Sequence, residues 1–90
     1  MTAVDAGIER FLEYLAVERQ ASQHTLSNYR RDLKTWQQYC QSQGLEDFNR
    51  IAFSHVQQYL ASEHRRGLAP KSLQRRLSAL RSAFKYAMKQ

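Results

Sequence analysis

The chain has 90 residues, with 14 Lys and Arg against 8 Asp and Glu, and a formal net charge of +6. This length suits one domain with a modest core, and the charge favours a polyanionic partner or an anionic membrane surface. No apolar run is long enough to cross a bilayer, and the first residues lack the pattern of a secretory signal. A single cysteine cannot form an internal disulfide, so we expect a cytoplasmic protein.

The first element is predicted to be a helix over about residues 4–19. Ile8, Phe11, Leu12 and Leu15 recur at the spacing of one helical face. The scarcity of turn residues (3 Gly and 1 Pro) argues against a β-rich fold throughout the chain.

A second helix is predicted between Ser22 and Gly44. The Ser22 hydroxyl can cap the free N–H groups of its first turn, and Gly44 can adopt the left-handed conformation that ends a helix. One apolar stripe runs along it, formed by Leu26, Tyr29, Leu33, Trp36 and Cys40.

The third helix is predicted to follow a connection over residues 45–53. Ser54 and Gln57 fit a capping box, in which Ser54 caps and Gln57 reaches back, and Gly67 ends the helix. The predicted buried face consists of Val56, Tyr59 and Leu60.

Pro70 suits the first position of a fourth helix, where its missing N–H is not needed. The apolar stripe of this helix contains Leu73, Leu77, Leu80, Phe84 and Ala87 or Met88. The pattern is still in phase at Gln90, so we expect the chain to be part of a longer protein.

Basic residues concentrate opposite two of the apolar stripes. Residues 64–90 contain eight Lys and Arg and no acid. Helical phase predicts that the fourth helix points Lys71, Arg75, Ser78, Ser82, Lys85 and Lys89 away from the core, with Arg76 and Arg81 beside the stripe. On the second helix the predicted outward residues are Ser27, Arg31, Lys34, Thr35 and Gln38, with Arg30 on the shoulder. Bases interleaved with hydroxyls and amides are typical of DNA-binding helices, although a basic helix face is more often only solvated surface.

Two sequence blocks carry a family resemblance. Residues 8–33 contain IERFLEYL, VERQAS and TLSNYRRDL, and residues 66–86 read RGLAPKSLQRRLSALRSAFKY. Together they resemble the N-terminal core-binding domain of Xer-type tyrosine recombinases, and among these the C-type.

The resemblance implies an all-α, four-helix, SAM-like bundle that fills residues 1–90 as one domain. In this family the second and fourth helices pack on the major groove of double-stranded DNA. Carried over by position, the DNA-binding candidates are Thr25, Ser27, Arg30, Arg31, Lys34, Lys71, Ser72, Arg75, Arg76, Ser78, Arg81 and Lys85. For Arg76 and Arg81 an alternative is that their stems pack on the core and only their tips reach a phosphate.

The family's catalytic residues belong to a separate C-terminal domain, which is absent from this sequence. We therefore expect the chain to bind DNA without cutting it, with no catalytic residue, metal or cofactor of its own. For the parent protein the resemblance implies chromosome dimer resolution together with a related D-type recombinase, and no membrane partner.

Two alternatives remain at this point. One is the DNA-binding domain of a phage or transposon integrase of the same family. The other is a helical protein–protein adaptor, which would show an exposed apolar patch rather than a uniformly basic face.

The sequence also predicts the effect of three substitutions. Arg31→Ala and Arg75→Ala are each expected to weaken DNA binding without unfolding the domain. Leu77→Ala is expected to cost about 2–5 kcal/mol of stability, as for a buried leucine.

Overall fold

The computed structural model describes residues 1–89, which form four α-helices and contain no strand. The helices are α1 (Ala3–Val17), α2 (Gln23–Gln43), α3 (Phe53–Arg65) and α4 (Pro70–Lys89), with a 3₁₀ turn (Phe48–Arg50) before α3. The predicted all-α, four-helix class is confirmed. The expectation that α4 stays in phase to Gln90 lies outside the described residues.

Side chains cap the first two helices. Ser22 Oγ accepts the Thr25 backbone N–H at 3.1 Å, which confirms the predicted cap of α2. At α1 the structure adds a capping box, in which Thr2 Oγ1 accepts the Asp5 N–H and Asp5 Oδ2 accepts the Thr2 N–H. Such boxes satisfy two of the N–H groups that a helix start leaves free.

The predicted cap of α3 at Ser54 is wrong. The helix begins one residue before Ser54, with Ala52 in the extended conformation at the N-cap. Alanine has no side-chain acceptor, so only the reach-back half of the cap forms: His55 Nδ1 accepts the Ala52 N–H at 2.9 Å. The imidazole therefore takes the part that the sequence assigned to Gln57.

Glycine and proline mark the remaining boundaries as predicted. Gly44 follows α2 with φ of 69°, and its N–H donates to the carbonyl oxygens of Cys40 and Gln41. Gly67 follows α3 with φ of 95°, and Pro70 is the first residue of α4. These positive φ values are ones that a Cβ atom disfavours.

The core is centred on Trp36, whose accessible surface is fully removed. Its ring meets Tyr59 of α3 edge-on at 5.2 Å between centroids and Phe84 of α4 at 6.0 Å. α1 contributes Ile8 and Phe11, which are 1% and 2% exposed. One tryptophan on α2 thus joins α3 and α4 into the same core.

The core-facing side of α4 differs from the predicted stripe. The buried residues are Ala79, Leu80 and Ala83, whereas Leu77 and Phe84 are half-buried and Met88 is 72% exposed. α4 packs against all three other helices, and two alanines let neighbouring backbones approach closely. The stripe of large residues therefore marks the side of α4 toward α3, not the centre of the core.

Candidate nucleic-acid interface

Three α2 candidates lie where the sequence predicts, on the solvent-exposed surface: Ser27, Arg31 and Lys34. Within residues 1–89 the Arg31 side chain forms a hydrogen bond only within its own helix, donating from Nη2 to Asn28 Oδ1 at 3.1 Å. Thr35 does not point outward as predicted, because its hydroxyl lies 2.6 Å from Tyr59 Oη of α3.

The other two α2 candidates, Arg30 and Thr25, contact neighbouring side chains. Arg30 is exposed but lies 3.5 Å from Glu9 of α1, a distance between Arg30 Nη1 and Glu9 Oε1. Both side chains are at least half exposed, so water screens the pair and its attraction is weak. Thr25 is half-buried in the first turn of α2, where its hydroxyl accepts a hydrogen bond from Ser22 Oγ.

On α4 the exposed candidates are Lys71, Arg75, Ser78, Arg81 and Lys85, and Ser72 is half-buried. Ser78 lies on the side of α4 toward α2, whereas Arg81 lines the opposite side, next to α3. The cations of α4 therefore spread around its outer half rather than forming a single row.

Arg75 is joined to a residue that the sequence reasoning missed. Arg75 Nε lies 3.0 Å from Asp32 Oδ2 and Arg75 Nη2 lies 3.1 Å from Asp32 Oδ1, which makes a bidentate pair between α4 and α2. The Asp32 side chain is 3% exposed and that of Arg75 is 46% exposed. The hydrogen bond and charge of Asp32 raise the pKa of Arg75. An acid inside the basic run Arg30-Arg31-Asp32 was the available signal.

Arg76 is not on the outer surface. Its side chain is only 13% exposed, and Arg76 Nη1 lies 3.0 Å from Glu63 Oε2 of α3. Arg76 Nε lies 4.0 Å from Asp32 Oδ1, but neither nitrogen is aligned for a hydrogen bond. The tip of Arg76 therefore faces buried acids, and the alternative of a tip that reaches a phosphate does not fit this arrangement.

A small cleft brings α2 and α4 candidates together. The α2–α4 cleft has a volume of about 220 Å³, and its lining residues are Thr25, Asn28, Tyr29, Asp32, Arg75, Ser78 and Ala79. Lys34 instead lines a separate depression with residues of α1. The DNA-binding candidates thus fall into two groups, those that line the cleft and those on the outer surfaces of α2 and α4.

The charges of α2 and α4 are one-sided. Asp32 is the only acid within residues 23–43, and residues 70–89 contain none. Because Asp32 is buried and paired with Arg75, the accessible charge on both helices is positive. This arrangement suits a polyanion such as the DNA backbone, whose phosphates are neutralised by Lys and Arg.

An apolar groove lies on the opposite side of α4, between it and α3. Its volume is about 450 Å³, and its main lining residues are Ile51, Phe53, Val56, Leu60, Leu77 and Phe84. Phe53 is 75% exposed. An exposed apolar patch is the feature that the adaptor alternative predicts.

Three other features would bear on function: a metal site, a membrane-spanning helix and a reactive thiol. In residues 1–89 no group of three or more His, Cys, Asp and Glu side chains could hold a metal ion. No helix in that range is long and apolar enough to cross a bilayer. Cys40 is 2% exposed, and burial raises the pKa of its thiol to about 12.

Four helices and two one-sidedly basic faces define a small helical domain suited to a polyanion, and comparison with known proteins identifies its family. Residues 8–90 match the family described as "Phage integrase, N-terminal SAM-like domain". This match covers most of the chain, which therefore belongs to that family. No solved structure matches the chain.

The relatives are more specific about the kind of recombinase. Over 84 residues the chain is 46% identical to "Tyrosine recombinase XerC" of Xanthomonas campestris pv. campestris (strain B100), which covers 93% of this chain and 26% of the relative. The protein of the same name from Azotobacter vinelandii is 37% identical over 87 residues, covering 97% of this chain and 29% of the relative. The chain thus spans less than a third of these relatives, to whose N-terminal region it is similar.

Proposed function

We propose that this domain binds double-stranded DNA at a recombination half-site through the outer faces of α2 and α4. The observation that carries the proposal is the charge of these helices, whose one acid is buried against Arg75 while Arg31, Lys34, Lys71 and Lys85 remain exposed. An α-helix fits the major groove, and membership of the integrase family supports DNA as the polyanion.

The domain supplies grip and position, and the cleavage chemistry resides elsewhere in the parent recombinase. By similarity to the XerC proteins, the parent would act in the cytoplasm on chromosome dimers, with a related D-type recombinase on the other half-site. A phage or transposon integrase would use the same domain in the same way. Target sequence and partner, not the fold, distinguish the two.

The direct test is a salt titration of binding, measured by fluorescence anisotropy. The probes are a Xer-type half-site duplex and a scrambled duplex of equal length and composition. We expect affinity to fall steeply with salt, by a slope of about 0.9 for each phosphate contact, and to be higher for the half-site. Equal affinity for both duplexes would mean that the domain binds phosphates without recognising the sequence.

Arg31→Ala locates the binding face. This variant is expected to reduce the salt slope by about 0.9, as for one lost phosphate contact. Arg10→Ala is the matched control, since Arg10 is equally a surface arginine but lies on α1. An unchanged slope in Arg31→Ala would place the interface elsewhere, and an equal loss in both variants would mean that binding is not confined to α2 and α4.

A second candidate is the protein–protein adaptor, which the apolar groove between α3 and α4 favours. Absence of binding to either duplex at low salt would select it over DNA binding.

A further inference from the structure

Asp32 combines three properties that do not suit a simple surface residue. It lies on a helix whose other charged side chains are basic, it is buried, and both of its oxygens are used by Arg75. A carboxylate placed between two DNA-binding helices repels phosphates. Its presence there therefore weakens indiscriminate binding, and the benefit must come from what it does to Arg75.

The pair fixes Arg75 in one orientation. A guanidinium is planar and rigid, so holding Nε and Nη2 on one carboxylate also fixes the direction of Nη1. Within residues 1–89 the hydrogen bonds of the Arg75 side chain all go to Asp32 through Nε and Nη2. Nearly half of this side chain is exposed at the α2–α4 cleft. A donor that is held before DNA arrives loses little conformational freedom on binding.

The same pair links the two helices. Asp32 belongs to α2 and Arg75 to α4, 43 residues apart in the chain. Their bond therefore constrains the separation and rotation of the two helices at the cleft. DNA recognition by two helices at once depends on that spacing, because each helix must meet its own part of the duplex.

We propose that Asp32 is a positioning residue for DNA recognition, which holds Arg75 and the α2–α4 spacing so that this domain discriminates its half-site from other DNA. The proposal rests on the proposed DNA binding of α2 and α4. Its signature is a change in preference between two sequences rather than a general loss of affinity, because removing a buried negative charge does not weaken phosphate contacts.

The variant that tests it is Asp32→Asn, which keeps the shape but loses the charge and one of two acceptors. Glu63→Gln is the matched control. Glu63 is likewise a buried acid paired with an α4 arginine, through Arg76 Nη1 at 3.0 Å, and its loss changes the net charge equally. Glu63 belongs to α3 and is not among the residues that line the cleft, and only Arg76 lies between it and Asp32.

Affinities for the half-site and scrambled duplexes are measured by anisotropy below the melting temperature of every variant. We expect Asp32→Asn to lower the half-site preference about tenfold, the scale of one lost specific contact, with scrambled-duplex affinity equal or higher. Glu63→Gln is expected to keep the wild-type preference. If Asp32→Asn does not fold, Arg75→Lys takes its place, because lysine keeps the charge but cannot form the bidentate pair.

Three results overturn the proposal. One is an unchanged preference in Asp32→Asn, and another is an equal loss in Glu63→Gln, which would mean that any buried acid has this effect. The third is a wild-type domain that binds both duplexes equally, because Asp32 would then have no preference to set. A wild-type domain that binds neither duplex defeats DNA binding itself, which is a separate and recognisable failure.

Discussion

Replacing Arg75 by alanine tests the Asp32–Arg75 pair through stability alone, without DNA. The sequence predicts that Arg75→Ala weakens DNA binding without unfolding the domain. The structure adds a loss of stability, because the substitution leaves the 3%-exposed Asp32 carboxylate without its bidentate partner. Removing one member of a buried pair costs about 3–5 kcal/mol. Here the loss is smaller, since Arg75 is 46% exposed and water screens the pair. Arg76 also remains, with Nε 4.0 Å from Asp32 Oδ1.

These corrections leave an expected cost of about 1.5–3 kcal/mol for Arg75→Ala. For a domain of this size each kcal/mol lowers the melting temperature by about 4–8 °C, so the shift is easily measured by circular dichroism. Arg31→Ala is the control, because the exposed Arg31 side chain donates to Asn28 of its own helix. This variant is expected to change stability by less than about 0.5 kcal/mol.

A double variant separates the pair from the rest of the domain. Asp32→Asn combined with Arg75→Ala removes the unpaired charge and is expected to recover part of the stability lost in Arg75→Ala. If Arg75→Ala and Arg31→Ala have the same melting temperature, the Asp32 carboxylate is hydrated in solution and the reasoning about the buried pair fails.

Further predictions follow from burial and hydrogen bonding. Leu80→Ala is expected to cost about 2–5 kcal/mol in urea unfolding, and Leu77→Ala clearly less because Leu77 is only half-buried; equal costs would contradict the observed facing of α4. Cys40, with its pKa raised to about 12 by burial, is expected to resist a thiol reagent at pH 8 until the domain unfolds. Hydrogen bonds from Gln37 and Thr2 lower the pKa of Asp5 below 3.8. The stabilisation from these hydrogen bonds is therefore present above that pH and is lost as the pH falls through the lowered pKa. A difference in melting temperature between wild type and Asp5→Asn that stays constant from pH 6 to pH 2 would refute it.

The sequence predicts most of the fold because its boundary signals are local. Ser22, Gly44, Gly67 and Pro70 act on neighbouring backbone groups, and each ends or begins a helix as expected. The prediction of a Ser54 cap was wrong because two overlapping patterns fit the same turn, Ser54 with Gln57 and Ala52 with His55. His55 reaches the free N–H of Ala52, and sequence spacing alone does not rank the two.

The core-facing side of α4 was harder to predict, since hydrophobic periodicity is dominated by large side chains. Ala79 and Ala83 contribute little to such a pattern, yet both are buried, at 4% and 2% exposure. Small residues permit close helix contact, so they mark the core while Leu77 and Phe84 line a groove. Because the core-facing side of α4 differs from the predicted stripe, Arg76 lies further inward than expected. There it pairs with Glu63, a long-range contact that no local sequence pattern shows.

The candidate site follows the same division between local and long-range information. Exposure was predictable for most of these residues, because the outward face of a helix is the complement of its core face, but Thr35 and Ser82 are half-buried. Which cations are already neutralised depends on tertiary partners: Arg76 is paired with Glu63 and Arg75 with Asp32, whereas the Glu9 contact of Arg30 is exposed and weak.

This division predicts the electrostatic strength of the interface. The bases among the sequence-predicted site residues would together give a salt slope near −7 if each met one phosphate. Excluding Arg75 and Arg76, which already face acids, leaves a slope of at most about −5.5. A measured slope no steeper than about −5.5 agrees with the structure. A slope near −7 would mean that DNA draws both arginines away from their acids, and the Asp32–Arg75 pair would then be a latch that opens on binding rather than a fixed support.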